Sequence, residues 1–359
     1  MIGLAQFAPF LLLILWAGHA ADHYPRRRIV TLCFVTQLLC GALLFGLTKS
    51  GLHSVWPVFA VLALFGSARA FMMPATQAIL VNLVPPQSFS RAVALSSSSF
   101  HVAVIAGPAL CGLLYNFAGP EFVYGVVALL LTISVLLMWC THMPSPPPSK
   151  EPATLKTVLE GMHFVRKQPI LLGALSLDLF AVLFGGVTAL LPAYVHEVLH
   201  AGPTTLGFLR AMPGVGAALT SVYLGFRPIE RKVGPSMFAG VFLYGIATLV
   251  IGFTSSFWLA LICLFLLGAG DMVSVFVRHL LVQLVTPDAI RGRVSAVSAV
   301  FIGASNELGE FESGVTAGWM GLVPAIIFGG AATLVVTSMW MLLFPKLSKM
   351  DEFPEKAKD

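Results

Sequence analysis

Gly18-His-Ala-Ala-Asp22-His-Tyr-Pro-Arg26-Arg27-Arg28 is a short polar stretch between two apolar runs, roughly residues 1–20 and 29–48. Three consecutive arginines cannot cheaply enter a bilayer, and excess Lys and Arg marks the cytoplasmic side of a membrane protein. The stretch therefore reads as a cytoplasmic loop. Its flanking helices form a hairpin that opens outward.

Composition fits that reading. Hydrophobic residues make up 57% of the 359 and charged residues 10%, against about a quarter charged in soluble domains. A bilayer accommodates such a chain as helices of about 20 apolar residues each. The expected class is an all-α polytopic membrane protein. The net charge of +5 resides mostly in loops on one side, which argues for membrane topology rather than nucleic acid. Cys33, Cys40, Cys111, Cys140 and Cys263 all fall in apolar runs without metal-ligand or CxxC spacing, so they read as small packing residues. The first run lacks a basic n-region. Its basic cluster follows it, which retains the helix in the membrane.

Eleven spans are expected, near 1–20, 29–48, 55–83, 92–118, 122–141, 170–195, 204–226, 233–254, 257–286, 293–317 and 319–345. The long connection, 142–169, opens with Pro144-Ser-Pro-Pro-Pro148, an extended linker. Behind it Leu155, Val158, Leu159, Met162 and Val165 recur at helical spacing, which predicts an amphipathic helix against the membrane face. The expected organisation is an N-terminal bundle over 1–141, the linker over 142–169, a six-helix bundle over 170–345 and a cytoplasmic tail over 346–359. Alternating sides from Arg26–Arg28 puts seventeen of the 21 Lys and Arg on the inside and Lys49 alone outside. Arg69, Arg210 and Arg278 lie within spans. An error of one span would scramble this division.

The two halves also repeat. Val84-Pro85-Pro86 through Arg91-Ala92-Val93 parallels Val285-Thr286-Pro287 through Gly292-Arg293-Val294. Gly107 and Gly112 are spaced like Gly309 and Gly314, and Gly66–Arg69 parallels Gly268–Asp271. The opening loop parallels Gly225 to Lys232. Duplicated halves meeting at a midplane cavity are the plan of a secondary transporter.

These stretches resemble the major facilitator superfamily. Gly18-xxx-Asp22 through Arg27-Arg28 is similar to the family's cytoplasmic motif between helices 2 and 3, departing from it at His23 and Pro25. Gly66-xx-Arg69 resembles the helix 4 arginine motif. Gly107-Pro108-Ala-Leu-Cys111-Gly112 resembles the helix 5 motif of proton-coupled exporters, with Ala103 and Cys111 as departures. Asp178 to Gly186, Gly207 to Gly214, and Arg291-Gly-Arg-Val-Ser295 through Asn306-Glu-Leu-Gly-Glu310 resemble the bacterial enterobactin-exporter-like branch, which borders drug-efflux proteins. The resemblance implies twelve helices in two six-helix bundles. The loop motif follows span one rather than span two, so the reading is that helix 1 is absent and Met1 stands near the start of helix 2. Numbering the spans 2 to 12 supports that offset. Spans 3, 6, 9 and 12 hold no Asp, Glu, Lys, Arg or His over 29–48, 122–141, 233–254 and 319–344, so every third helix is expected at the periphery.

Charges inside spans mark the candidate chemistry. Arg69 lies about halfway along its span, and Asp178 about nine residues into its own. Asp271 and Arg278 are seven apart and share a face; they can pair with each other or across to Arg69. Glu307 and Glu310 share a face at i, i+3, and two close carboxylates in low dielectric resist double ionisation, which suits proton coupling. Each of these also has a static reading, as part of an internal ion pair. Glu312 is expected to be solvated near the outer end, Arg210 to snorkel outward, His279 to point about 100° away from Arg278, and His101 to be a packing residue. Gly107, Pro108 and Gly112 would let helices approach closely. Gly18, Asp22 and Arg26–Arg28 form the expected gating loop. The resemblance implies that its aspartate latches near the start of helix 11, around Arg291–Arg293.

The expected function is proton-coupled export of small, partly apolar molecules, siderophore-like compounds or drugs, by alternating access from the bacterial inner membrane. Its partners are the lipid bilayer, a small-molecule cargo and protons. A monomer is expected, with no cofactor, metal or nucleic acid. Metabolite uptake and a non-transporting relic or scaffold are the alternatives, the second because helix 1 is absent. No nucleotide loop, metal cluster or nucleophile motif points to an enzyme. A reporter that functions only in the cytoplasm is expected to be active when inserted within Pro144–Pro148 or fused after Asp359. It should be silent when inserted beside Lys49.

Overall fold

In the computed structural model, residues 2–51, 55–83, 89–141, 155–287 and 290–354 are described. The described elements are helices, and the chain divides into two compact units. Unit 1 takes residues 1–103 and 113–155, and unit 2 takes 104–112 and 156–359.

Unit 1 contains α1 (Ile2–His23), α2 (Arg26–Lys49), α3 (Trp56–Leu83) and most of α4 (Phe89–Cys140). The two spans expected over 92–141 run on as one element, broken at Gly119, whose φ of 76° and ψ of 178° are not helical. Such a backbone favours glycine. α1 crosses α3 at Gly66, where a Cβ would meet the backbone of Gln6. Ile29, Val30, Cys33, Ala68, Ala75 and Ile79 form the core between α2 and α3. Arg27 donates to the carbonyl of Trp139, tying the first turn of α2 to the last turn of α4.

Unit 2 contains α5 (Leu155–Lys167), α6 (Pro169–Phe184), α7 (Val187–Glu197), α8 (Pro203–Phe226), α9 (Val233–Phe253), α10 (Phe257–Val285), α11 (Arg291–Met320), α12 (Leu322–Leu343) and the short α13 (Pro345–Ser348). Its principal crossings are α8 with α10, α10 with α9, and α9 with α12. Glycine permits each close approach. A Cβ on Gly268 would strike the carbonyl of Pro213, and one on Gly216 that of Phe265. Gly240 and Gly270 face each other's carbonyl oxygens. Charge-free α9 is therefore not peripheral throughout. It buries a row that includes Met237, Phe238 and Val241 against its neighbours, while Ile246 and Phe253 remain exposed. The second half of α4 does carry the exposed apolar surface expected of a lipid-facing span, with Leu130, Leu136 and Trp139 outward.

The amphipathic linker helix forms as α5 and packs on unit 2. Val165 of α5 is fully buried in the core of unit 2, together with Val294 and Val297 of α11. A Cβ on Gly161 would stand 2.7 Å from the carbonyl oxygen of Arg293. The C-terminal part of the apolar stripe of α5, Met162 and Val165, thus packs on the protein core, while the side chains of Leu155, Val158 and Leu159 lie outside the described residues. The proline cluster, Pro144–Pro148, lies outside the described residues.

The tail folds back on unit 2. Leu347 is buried. Val233 and Gly234 donate backbone N–H bonds to the carbonyls of Asp351 (3.1 Å) and Met350 (2.9 Å). The Asp351 carboxylate accepts from the backbone of Lys232 at 3.1 Å. The first donors of α9, which no intrahelical partner can satisfy, are thus capped by a segment more than a hundred residues away.

Six runs among the described residues are long and apolar enough to cross a membrane: Arg26–Lys49, Ser98–Cys140, Pro169–Glu197, Val233–Phe253, Phe257–Val285 and Leu322–Leu343. Gly268→Val is expected to separate α8 from α10 and to cost about 3 kcal/mol through overpacking against backbone. Thermal unfolding of the purified protein in detergent checks this.

Candidate functional site

The intramembrane charges expected in unit 2 lie on α6, α8, α10 and α11. Asp178 of α6 and Arg278 of α10 form an ion pair, with Asp178 5% and Arg278 2% exposed. Leu177 and Val277, their chain neighbours, are fully buried. The expected partner of Arg278 within its own helix, Asp271, is not the one it takes. Seven residues bring two side chains to one face but leave them about 10 Å apart along the axis, whereas Asp178 lies across from Arg278 on a neighbouring helix. Asp271 is half-buried and follows Gly270, which packs against the backbone of Gly240 and Tyr244 on α9. Ser274, one turn from Arg278, is 1% exposed. Its hydroxyl and the Arg278 Nε have no hydrogen-bond partner among the described residues. Buried polar atoms left over beside an ion pair mark a site that packing alone does not explain.

Beyond this pair the expected span over 170–195 is interrupted. α6 ends at Phe184 and α7 begins at Val187, with Gly185 and Gly186 between them. The break is built from several helices. Tyr244 donates its hydroxyl to the carbonyl of Gly185 at 2.8 Å. Thr333 of α12 donates to the carbonyl of Ala181 at 3.1 Å. The Gly185 carbonyl has lost its own helical donor, because the Ala189 N–H bonds Gly186 instead, and Tyr244 supplies a replacement; the Ala181 carbonyl keeps its helical bond from the Gly185 N–H at 2.9 Å, and Thr333 adds a second donor to it. A Cβ on Gly186 would stand 2.6 Å from Ser313 Oγ and 2.7 Å from the carbonyl oxygen of Gly309, and one on Gly309 would stand 2.7 Å from that of Val182. α11 therefore lies against the break. The adjacent Gly185-Gly186 pair is the signal that the sequence reading missed.

That contact sets the place of the α11 carboxylates. Glu307 and Glu310 are half-buried within a turn or so of Gly309. Glu312, expected to be solvated, is also half-buried and accepts from Thr316 Oγ1 at 2.8 Å. Its own helix supplies a donor one turn on. At the start of α11, Arg293 pairs with Glu160 of α5 at 2.5 Å, so the linker helix holds the turn where the resemblance implied a latch.

The remaining candidates are placed as follows. Arg69 is exposed on α3, beside buried Ala68 and Ala70. Arg210 and His279 are exposed, and His101 is half-buried. Gly112 meets Gly207 of α8: a Cβ on Gly112 would stand 2.9 Å from the Gly207 Cα, and one on Gly207 would stand 2.6 Å from the Pro108 carbonyl oxygen. Gly107 faces open space, so Gly112 makes the close approach that was expected of both. Gly18 and the side chain of Asp22 lie outside the described residues. Of the three loop arginines, Arg28 is exposed while Arg27 is drawn to α4.

Removing one partner of a buried pair strands a charge, at a cost of about 3–5 kcal/mol. Asp178→Leu and Arg278→Met are each expected to lose stability on that scale, and the double substitution to recover most of it. Thermal melts in detergent test this, and additive losses would show that the two side chains do not act as a pair.

Similarity to known proteins agrees with this architecture. The profile of the family described as transmembrane secretion effector, a major-facilitator family, matches residues 1–359. The MFS-type transporter YfiS of Bacillus subtilis is 26% identical over 338 residues, covering 89% of this chain and 78% of that one. The enterobactin exporter EntS of Shigella boydii is 24% identical over 346 residues, covering 95% and 82%. Among solved structures, the POT family transporter PepTSo superposes with a TM-score of 0.74 at 14% identity, covering 96% of this chain and 89% of that one. The human organic anion transporter MFSD10 superposes with a TM-score of 0.62 at 17% identity, covering 94% and 83%. At such identities the structural likeness concerns the fold. This chain belongs to the transmembrane secretion effector family of the major facilitator superfamily, and it is a multi-pass membrane transporter rather than an enzyme.

Proposed function

We propose that the protein is a proton-coupled exporter of small, partly apolar molecules, working by alternating access in a bacterial inner membrane. Siderophore-like compounds and drugs are the cargo classes that fit best, the first supported by the similarity to enterobactin exporters. The observation that carries the reading is the buried Asp178–Arg278 pair beside Ser274, together with the carboxylates of α11 packed against the α6–α7 break. A buried ion pair contributes little net stability over apolar packing, so its presence in a span favours a working role.

In this reading Glu307 and Glu310 carry the coupling proton, and Asp178, Arg278, Asp271 and Arg69 line or tune the polar interior. Protonation biases one orientation of the cavity and cargo biases the other. Each shifts the equilibrium only by its differential affinity for the two states. Gly18, Asp22 and Arg26–Arg28 serve as the gating loop, and Gly112 as the close-packing point of α4. The loops bearing most of the Lys and Arg, and the C-terminus, face the cytoplasm.

Glu307→Gln is expected to abolish pH-driven efflux while leaving the melting temperature close to that of the unsubstituted protein. The measurement is efflux of a fluorescent substrate or siderophore from vesicles under an imposed pH gradient. Unchanged pH-dependent efflux would remove Glu307 from the mechanism, and counterflow in oriented vesicles separates export from uptake.

A further inference from the structure

A groove in unit 1 adjoins the proposed gating loop at Arg28 but carries neither cargo nor proton in the transport reading. It is a cavity of about 420 Å³ between the end of α1, the first turns of α2 and the middle of α3. Leu32, Leu64, Ala68 and Phe71 form its apolar wall, and none of the described side chains lining it is acidic. Leu32 is 65% exposed, so the groove opens to the surroundings rather than into the core. From Arg28 to Thr36 along α2 it extends over eight residues, about 12 Å at helical rise.

One end of the groove is chemically distinct. Tyr24 and Arg28, both exposed, border it at the turn between α1 and α2. There α2 begins at Arg26 without a side-chain cap, so the positive end of its dipole points toward the same place. Arg27 is directed away, to the Trp139 carbonyl, and Arg28 is the cation among the described residues that line the groove. The turn joins two apolar helices, so this end stands at a membrane–water interface, where Tyr and Arg are suited to the headgroup level.

An apolar channel with a cation and a helix N-terminus at its interfacial end matches one kind of molecule. We propose that the groove is a site for a diacyl phospholipid with an anionic headgroup. One acyl chain lies along Leu32, Leu64 and Phe71, and the phosphodiester sits against Arg28 and the first turn of α2. A zwitterionic lipid would fill the channel equally well but would gain less from the positive end.

The test is native mass spectrometry of the purified full chain, titrated with palmitoyl-oleoyl phosphatidylglycerol or phosphatidylcholine in a non-ionic detergent. Phosphatidylglycerol is expected to bind about fivefold more tightly, the contribution of one basic side chain near a headgroup. Arg28→Gln should remove that preference and leave phosphatidylcholine unchanged, whereas Arg28→Lys should keep most of it. Leu64→Trp, which fills the channel, should weaken both lipids. Equal affinities in the unsubstituted protein would overturn the proposal, as would an undiminished preference in Arg28→Gln. Displacement of phosphatidylglycerol by millimolar inorganic phosphate would also overturn it, because the site would then be for a free anion.

Discussion

A charge inside a bilayer must find its partner inside the protein, and the arrangement of unit 2 follows from that constraint. Asp178 and Arg278 lie on helices far apart in the chain, and neither is tolerable alone at 5% and 2% exposure. Their pairing holds α6 against α10 at a defined level. α6 then presents its C-terminal end to α11, and the break at Gly185–Gly186 falls where Tyr244 and Thr333 can reach its carbonyls.

The same constraint acts on the backbone. With no water in the hydrocarbon core, a broken helix is possible only where other side chains replace the lost hydrogen bonds. The Tyr244 hydroxyl does so here for the Gly185 carbonyl. At the surface the problem recurs in milder form, and the returning tail supplies the acceptors for the start of α9. Glycine makes the close geometry possible. Between apolar helices there is little hydrophobic drive in lipid, so association depends on how closely backbones approach. Gly216 and Gly268 set the α8–α10 crossing, and Gly112 and Gly207 set that of α4 with α8.

Much of this was legible from the sequence because bilayer rules are local and strong. Span limits follow from runs without charge, and α2, α9, α10 and α12 begin and end within a few residues of expectation. The interrupted span over 170–195 was readable in principle, since adjacent glycines inside an apolar run are a break signal. Pairing was not readable. The seven-residue spacing of Asp271 and Arg278 invited a contact along one helix, and the partner came instead from α6. Likewise Gly107 and Gly112 look alike in sequence, yet only Gly112 meets another helix.

The amphipathic stripe of α5 shows the same division. Its periodicity gave the helix and its apolar face, but lipid, protein and groove all accept such a face. The buried seat of Val165 against Val294 and Val297, with Glu160 on Arg293, was decided by tertiary packing. The sequence by itself determined a polytopic helical membrane protein, the family, the approximate spans and which residues carry charge within them, because hydropathy, positive charge and local motifs are properties of contiguous segments. The tertiary structure alone decided which charge meets which, which glycine is a crossing point and what covers each helix end. Those outcomes depend on the relative height and rotation of helices, which no single segment encodes.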